Sequence, residues 1–348
     1  MAKRPHPADQ RRRDAFLARA ASVWEVKPYE AERLASGGLR SSVRINPLKA
    51  RPVNEIRADL ESLTEVEPIS WCPNAFHILG DRKAVTESAI HAAGEVYVMN
   101  ASSLIPGLAM DPQPDEDILD ICSSPGGKAA HIAALTGNKA RLHVNDGIRA
   151  RLKKLREVID LLGVEITDMT EIQGQYLDKF LDAAYDRILL DAQCSGEGMA
   201  DLSRPDALKF WTPDRIEKMS RLQQRMLVAA FKQLRPGGVL VYSTCTIAPE
   251  ENEAPVDHLV KHNEDAVIEP IGVDVPEGRP GLAKWEGRSY HPDLRHAMRV
   301  VPSDFLEAFF VCRIRKLPPG ELPPGELPPG ELPPGKLPHG EQPTGETA

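Results

Sequence analysis

Apolar and polar positions alternate between strand-like and helix-like patterns from Ile118 onward. Long amphipathic stretches at residues 128–135, 148–162 and 213–234 predict helices. Between them lie short apolar runs, which are typical of strands buried on both faces of a parallel sheet. These runs are ILDIC (118–122), RLHVND (141–146), YDRILLDA (185–192) and GGVLVYST (237–244). The alternation predicts an α/β fold in which crossover helices join parallel strands.

Turn residues mark where several of these elements end. Gly163 stands where a helix C-cap glycine is expected, and Pro236-Gly237-Gly238 predicts a sharp stop before the strand that follows. Residues 298–316 are rich in apolar residues and predict a pair of strands that closes an edge of the sheet. The α/β unit is therefore expected to extend over residues 106–316.

The chain before residue 106 and after residue 316 follows other patterns. Residues 20–105 mix short helical pieces with the strand-like run SSVRINPLK (41–49), so we predict a small separate α+β domain there. Residues 1–19 form a basic extension. Residues 317–348 repeat the pentad LPPGE with variations, and because its prolines and glycines cannot build a ladder or a core, we predict a disordered tail.

Composition and charge narrow the class of protein. The 348 residues carry a net charge of −8, and the tail alone, with five Glu and one Lys, accounts for half of it. The body is therefore close to neutral and can still carry basic patches. No signal-peptide pattern and no uncharged apolar run of about 18 residues occurs, so we expect a cytoplasmic protein that does not span a membrane. We also expect the protein to be a monomer.

The cysteines exclude two further classes of site. The five cysteines lie far apart, are odd in number and include no C-x-x-C pair, so neither a disulfide framework nor a zinc knuckle is predicted. We expect no metal. Each cysteine is a buried thiol unless its surroundings indicate otherwise.

A glycine-rich turn and an acidic residue follow the first two predicted strands. In open α/β sheets, ligands bind outside the carboxyl ends of the strands. In DICSSPGGK (120–128), the glycines allow a ligand to approach the backbone, although a tight turn without a ligand explains them as well. Asp146 ends the second strand, where one carboxylate can accept both hydroxyls of a ribose. It can also cap the helix that follows.

A cysteine follows each of the other two strands. Cys194 lies in LLDAQCSGEG (189–198), three residues after Asp191, and Cys245 lies in VYSTCTIAPEENE (241–253). Either cysteine alone is most simply a buried core thiol. Because the carboxyl ends of the strands lie at one edge of the sheet and each cysteine has a carboxylate nearby, the pair favours covalent chemistry.

These three motifs together resemble the Sun/RsmB family of S-adenosylmethionine-dependent RNA 5-methylcytosine methyltransferases. The family patterns are approximately D-x-C-A-A-P-G-G-K-T, L-L-D-A-P-C-S-G-x-G and Y-S-T-C-S/T-x-x-x-E-E-N-E. The similarity covers about residues 44–316. It implies a Rossmann-like class I methyltransferase sheet preceded by a domain like the RNA-recognition motif, with Arg44 and Asn46 in that domain and its basic residues holding phosphates.

The resemblance also implies the chemistry. Cys245 is expected to attack carbon 6 of cytosine, and Asp191 to neutralise charge on the base. Cys194 is expected to assist release of the product, and Lys128 to act on the thiol or on the aspartate. S-adenosylmethionine is the implied cofactor. Its expected binding residues are Cys122, Ser123, Ser124, Pro125, Gly126, Gly127, Lys128, Asp146, Arg151 and Asp191.

This chain departs from the family patterns at several positions. Gln193 stands where the family has Pro, and Ala308 replaces a Gly in the closing segment. No acid clearly occupies the position expected to bind adenine, since Asp168 comes early and Gln175 stands near the expected place.

The implied partner is ribosomal or transfer RNA, and two other functions remain as alternatives. A catalytically weak or inactive RNA-binding assembly factor of the same fold would lack a nucleophile or an intact cofactor turn. A DNA cytosine methyltransferase would use the cysteine of a Pro-Cys segment. The second cysteine and Gln193 disfavour the DNA enzyme.

Overall fold

The structure is a computed structural model that describes residues 7–182 and 184–321. Lys3 and Arg4 of the predicted basic extension lie outside these residues, and so does nearly all of the predicted disordered tail. Within the described residues, no helix is long and apolar enough to cross a membrane. The same residues contain no group of three or more His, Cys, Asp or Glu side chains placed to hold a metal ion.

Eleven α-helices are formed by the described residues. They are α1 (Pro7–Trp24), α2 (Pro28–Ala35), α3 (Val53–Leu63), α4 (Arg82–Thr86), α5 (Ala89–Ala92), α6 (Ile105–Met110), α7 (Gly127–Thr136), α8 (Arg149–Leu162), α9 (Leu177–Phe180), α10 (Pro213–Lys232) and α11 (Glu253–His262). The three helices predicted between strands are confirmed as α7, α8 and α10. Gly163 ends α8 in the left-handed conformation, as the sequence predicts.

Fifteen strands accompany them in the same residues. They are β1 (Ser42–Ile45), β2 (Val66–Pro68), β3 (Ala75–Ile78), β4 (Val96–Met99), β5 (Asp117–Asp120), β6 (Arg141–Asn145), β7 (Asp168–Thr170), β8 (Tyr185–Asp191), β9 (Leu234–Thr244), β10 (Ala266–Glu269), β11 (Gly278–Pro280), β12 (Lys284–Trp285), β13 (Arg288–Ser289), β14 (Met298–Val300) and β15 (Phe309–Lys316).

A nine-stranded sheet forms the centre of the larger unit. Its order is β11-β14-β15-β9-β8-β5-β6-β7, and β10 pairs with β15. The strands from β9 to β7 are parallel, whereas β15 runs antiparallel to β9, β10 and β14. The predicted α/β sheet is confirmed. Its parallel part brings the carboxyl ends of β6, β5, β8 and β9 to one edge.

Two predictions about the strands are wrong in detail. Strand β9 already begins at Leu234 and runs through Pro236, Gly237 and Gly238, with an irregular register opposite β8. Residues 298–316 do form two strands, but β15 lies inside the sheet, and β11 pairs with β14 and forms the edge. The sequence pattern did not show that the preceding segments, β10 and β11, would pair with these two strands.

The N-terminal α+β unit has a four-stranded antiparallel sheet in the order β2-β3-β1-β4. Its elements follow the β-α-β-β-α-β sequence of split βαβ folds. One sheet face packs on α3 and α5 through Val43, Ile45, Ile56, Leu60 and Ile90. The separate domain over residues 20–105 stays a prediction, because α1 and α6 cross its expected limits.

The other face of this sheet lies against the larger unit, so Arg44 is not among the basic residues of this domain that can hold RNA phosphates. Arg44 is 2% exposed, and Asn46 is fully buried. The Asn46 side-chain amide donates to the carbonyl oxygens of Gly94 and Leu162, thereby joining the two units. Sequence pattern alone could not distinguish a basic strand residue at an interior interface from one on the surface.

The last described residues also differ from the predicted tail. Leu317 is 3% exposed, and its amide donates to the Asp265 carbonyl oxygen at 2.7 Å. The first tail residue is therefore packed, and the body of the protein extends beyond residue 316.

Candidate active site

Four loops meet where β6, β5, β8 and β9 end. They border a cleft of about 820 Å³. The predicted site residues that line it are Cys122, Ser124, Arg151, Asp191, Cys194 and Cys245. Ser123, Pro125, Gly126 and Gly127 complete the turn that begins at Cys122, and Lys128 and Asp146 contact residues of the cleft. The structure thus brings the three motifs and Asp146 to one place.

The two cysteine sulfurs lie in direct contact. Cys194 Sγ and Cys245 Sγ are 3.3 Å apart, although 51 residues separate them in sequence. The hydrogen bond to Cys245, together with burial, raises the pKa of the Cys194 thiol well above its ordinary value. Cys194 therefore stays protonated near neutral pH, with its thiol in contact with the sulfur of Cys245.

Asp191 and Lys128 form an ion pair beside the cysteines. Lys128 Nζ lies 2.8 Å from Asp191 Oδ2, and Ser243 Oγ donates to Asp191 Oδ1 at 2.7 Å. Burial disfavours the Lys128 ammonium, but the Asp191 carboxylate outweighs it, so the pKa of Lys128 is raised. The site therefore holds a fixed cation and an oriented carboxylate close to Cys245.

The glycine turn packs against two other elements, β4 and α8. A Cβ on Gly127 would lie 2.8 Å from Tyr97 Cε1, and one on Gly126 would press on Val158. Gly126 also has a φ of +114°, which side chains rarely adopt. Arg151 donates to the Ser124 carbonyl oxygen at 2.8 Å, so it anchors the turn to α8.

Two buried carboxyl groups at this edge have oxygens without a hydrogen-bond partner among the described residues. Asp146 is 1% exposed: its Oδ1 accepts from the Ile148 amide, whereas Oδ2 has only the Arg151 guanidinium at 3.4 Å. Neither side-chain oxygen of Asp120 makes a hydrogen bond of good geometry among the described residues, although Ser123 and the Cys122 amide are close enough to favour its carboxylate form; burial and the Asp191 carboxylate outweigh them and raise the pKa of Asp120 to about 7. Such oxygens can accept the hydroxyl or ammonium protons of a ligand.

A buried polar network connects the loops that carry the cysteines. Glu251 Oε2 accepts from the Ser195 amide at 2.9 Å and from Gln223 Nε2 at 3.0 Å. Thr246, the residue after Cys245, donates to Glu197 and lies 2.8 Å from Ser195 Oγ. Burial raises the pKa of Glu251 to about 7. Both loops are therefore held by the same carboxyl groups.

The sequence prediction did not include this network or Asp120. The signal was present in part, because Asp120, Glu197 and Glu251 lie inside the three quoted motifs. Their burial and mutual contacts depend on the fold. Gln193 lines the cleft with an exposed side chain, but neither Asp168 nor Gln175 does, so no residue is assigned to adenine.

Known proteins match the chain over most of its length. A family model described as 16S rRNA methyltransferase RsmB/F matches residues 107–315. The tRNA (cytosine(49)-C(5))-methyltransferase of Pyrococcus abyssi is 38% identical, with 80% of this chain and 88% of that protein covered. The ribosomal RNA small subunit methyltransferase F of Aliivibrio fischeri is 35% identical, with 87% of this chain but 64% of that protein covered.

A solved structure agrees with the fold. The methyltransferase homolog protein from Pyrococcus horikoshii superimposes with a TM-score of 0.71 at 27% identity. The match covers 87% of this chain and 99% of that one. The match therefore extends over most of this chain, including the nine-stranded sheet and most of the N-terminal unit.

Proposed function

Because this chain belongs to the RsmB/F family of RNA methyltransferases, we propose that it methylates carbon 5 of a cytosine in RNA through a covalent cysteine adduct at carbon 6. The observation that carries this mechanism is the contact between Cys194 Sγ and Cys245 Sγ at 3.3 Å, beside the Asp191–Lys128 ion pair. The inactive assembly factor is not favoured, since all four of these residues converge.

The first step requires a nucleophilic sulfur. Carbon 5 of cytosine is a poor nucleophile, so addition of a thiolate at carbon 6 is needed to raise its electron density. Cys245 takes this role, because the Cys194 S–H and the Lys128 ammonium both face a negative charge on its sulfur. Asp191 is held by Lys128 and Ser243, and in this proposal it hydrogen-bonds the ring edge of the base.

The last step releases the product. Once carbon 5 carries the methyl group, it must lose its proton, and the bond between carbon 6 and Cys245 must break with its electron pair returning to sulfur. Cys194 is the group placed next to that bond. Once the Cys245 sulfur is bonded to carbon 6 and no longer contacts the Cys194 thiol as a hydrogen-bond partner, Cys194 gives up its own proton to water, and the resulting thiolate accepts the proton from carbon 5.

S-adenosylmethionine supplies an electrophilic methyl group when bound. The residues fit such a ligand, because Asp146 and Asp120 carry unpartnered oxygens at the strand ends. Asp146 Oδ2 would accept ribose hydroxyls. The methionine portion would lie at the turn from Cys122 through Ser123, Ser124, Pro125, Gly126 and Gly127 to Lys128, and Arg151 and Asp191 would complete the set.

The proposed substrate is ribosomal or transfer RNA, since one relative is named for each. The reacting base must leave its stack, so a cytosine in a loop or one that is flipped out is expected. Arg215 and Lys218 at the start of α10 line the cleft and can hold the neighbouring phosphates. Bisulfite sequencing of total RNA from cells with and without the gene would identify the cytosine.

Two cysteine variants test the mechanism. Cys245→Ala should abolish methyl transfer, because no sulfur remains to add to carbon 6. Cys194→Ala should accumulate a covalent protein–RNA adduct, because addition survives and release fails. Denaturing gel electrophoresis with labelled RNA measures the adduct.

Cys72→Ala is the matched control. Because Cys72 lies outside the cleft, this substitution is expected to leave both measurements unchanged. An adduct that accumulates with Cys245→Ala, and not with Cys194→Ala, would reverse the assignment of the two cysteines.

A further inference from the structure

The contact between Cys194 and Cys245 places two oxidisable groups together in an open cleft. Both side chains are partly exposed and line the cleft, whereas Cys72 and Cys312 are 1% and 0% exposed. A disulfide joins its sulfurs at about 2.0 Å, so the 3.3 Å separation must shorten by roughly 1.3 Å. Rotation of the two side chains can supply a movement of this size.

We propose that Cys194 and Cys245 are a redox modification site, at which a peroxide converts the two thiols into a reversible intramolecular disulfide. The modified protein would have no free sulfur at either position. Its loss of methyl transfer rests on the proposed function, because Cys245 is the nucleophile in that mechanism. The disulfide itself depends only on the geometry of the pair.

The chemistry balances with hydrogen peroxide as the oxidant. The Cys245 thiolate attacks one peroxide oxygen, the O–O bond breaks, and Cys245 sulfenic acid and hydroxide form. Cys194 then attacks the sulfenic sulfur, the S–O bond breaks, and the oxygen leaves as water together with the Cys194 proton. Two electrons pass from the two sulfurs to the peroxide. A dithiol reverses the reaction by exchange.

The residues around the two cysteines favour a disulfide between them over further oxidation of Cys245. A cation promotes reaction through the thiolate form, and the Lys128 ammonium interacts electrostatically with Cys245. The network of Ser195, Thr246 and Glu251 holds the two loops side by side, so the resolving thiol is already adjacent. A sulfenic acid on Cys245 therefore meets Cys194 before a second peroxide can oxidise it further.

The experiment treats the full chain with equimolar hydrogen peroxide, without RNA or cofactor, then alkylates free thiols and digests with trypsin. The five cysteines lie in five different tryptic peptides, so each pairing has its own mass. We expect free thiols to fall from five to three per chain. Peptide 188–209 should be linked to peptide 233–261, and dithiothreitol should reverse the link.

Two variants control the assignment. Cys194→Ser should lose the linked peptide, and Cys72→Ser should keep it. Circular dichroism verifies that each variant is folded. If a variant does not fold, peptide mapping of the peroxide-treated wild-type protein still decides whether the link forms. Five free thiols after treatment, a link to Cys122, or a sulfinic acid on Cys245 without a link would overturn the proposal.

Methyl transfer is measured on the same oxidised and reduced samples. We expect the oxidised sample to lose activity and dithiothreitol to restore it. A linked peptide in a protein that never methylates RNA would contradict the proposed function and leave the modification site intact. An active protein that forms no link would contradict only this inference.

Discussion

At the residue scale, buried carboxyl groups define the environment of the cleft. Glu251 is fully buried and accepts hydrogen bonds from Ser195 and Gln223 at one oxygen, and among the described residues no cation forms an ion pair with it. Burial in a medium of low polarity disfavours the charged form and raises the pKa of Glu251 to about 7. The protonated form therefore fits this network best, and the carboxylate is a source of strain above neutral pH.

The stability of the Glu251→Gln variant tests whether the protonated form of Glu251 fits this network best. The folded protein binds the proton more tightly than the unfolded chain, so the wild type loses stability as pH rises from about 4.5 to about 7. The amide oxygen of Gln can keep both hydrogen bonds without charge. We therefore expect Glu251→Gln to gain stability relative to the wild type across that range, by on the order of 3 kcal/mol above pH 7.

Urea unfolding at a series of pH values measures this difference. Glu165→Gln is the control for removal of one charge, because Glu165 is exposed. A Glu251→Gln curve parallel to that of the wild type at every pH would contradict the argument.

At the scale of elements, the site depends on how closely two loops approach each other. The Gly198 amide donates to the Cys245 carbonyl oxygen at 3.0 Å, which joins the loop after β8 to the loop after β9. A Cβ at Gly198 would clash with the carbonyl oxygen of Ala308 and would lie 2.9 Å from that of Cys245. Only glycine allows this approach, since backbone atoms cannot rotate away as side chains do.

Gly198→Ala is therefore expected to separate the cysteine loops. We predict a loss of stability of about 1–3 kcal/mol, typical of overpacking, and a larger proportional loss of methyl transfer. Thermal unfolding and single-turnover assays measure the two effects. Gly37→Ala is the matched control, because the nearest atom to its Cβ would lie at 3.7 Å. Wild-type activity in Gly198→Ala would show that the loops tolerate separation.

At the scale of the whole molecule, the two units share an interface that removes one sheet face from solvent. Tyr97 of β4 packs on Gly127, and His77 of β3 stacks on Phe305 with ring centroids 4.1 Å apart. The buried Arg44 belongs to this face, and two of its nitrogens have no hydrogen-bond partner among the described residues. The N-terminal unit therefore supports the glycine turn, and RNA contacts are expected elsewhere, at the cleft.

RNA binding distinguishes the two surfaces. Arg44→Met should leave RNA affinity unchanged, because no phosphate can reach the buried guanidinium. Lys218→Met should weaken binding and reduce the slope of log affinity against log salt by about 0.7–0.9, the value for one phosphate contact. Filter binding over a range of salt concentrations measures both. Equal losses in the two variants would mean that the N-terminal sheet takes part in binding.

The carboxyl end of the chain allows a second test at this scale. Truncation after Glu321 should leave melting temperature and activity nearly unchanged, because only the Pro- and Gly-rich pentads beyond the packed body are removed. Truncation after Lys316 also removes the buried Leu317, which should cost about 2 kcal/mol. Thermal unfolding compares the pair, and a large effect of the shorter deletion would mean that the pentads pack or bind.

Local patterns in the sequence determined the elements and the chemistry of the site. Buried apolar runs have a distinct period, and helix stops depend on nearby residues such as Gly163, so α7, α8, α10 and the parallel strands could be predicted. The three motifs carried the chemistry because parallel strands end at one edge of a sheet. The sequence alone therefore predicts that Cys194, Cys245, Asp191 and Lys128 lie at the same edge.

Tertiary structure decided the contacts made between distant segments. The burial of Arg44, the sharing of Glu251 by two loops and the position of β15 inside the sheet each depend on segments far apart in the chain. A period along the sequence reports which face of an element is apolar, but it does not report what covers that face. For the same reason, only the fold could place the sulfurs of Cys194 and Cys245 in contact.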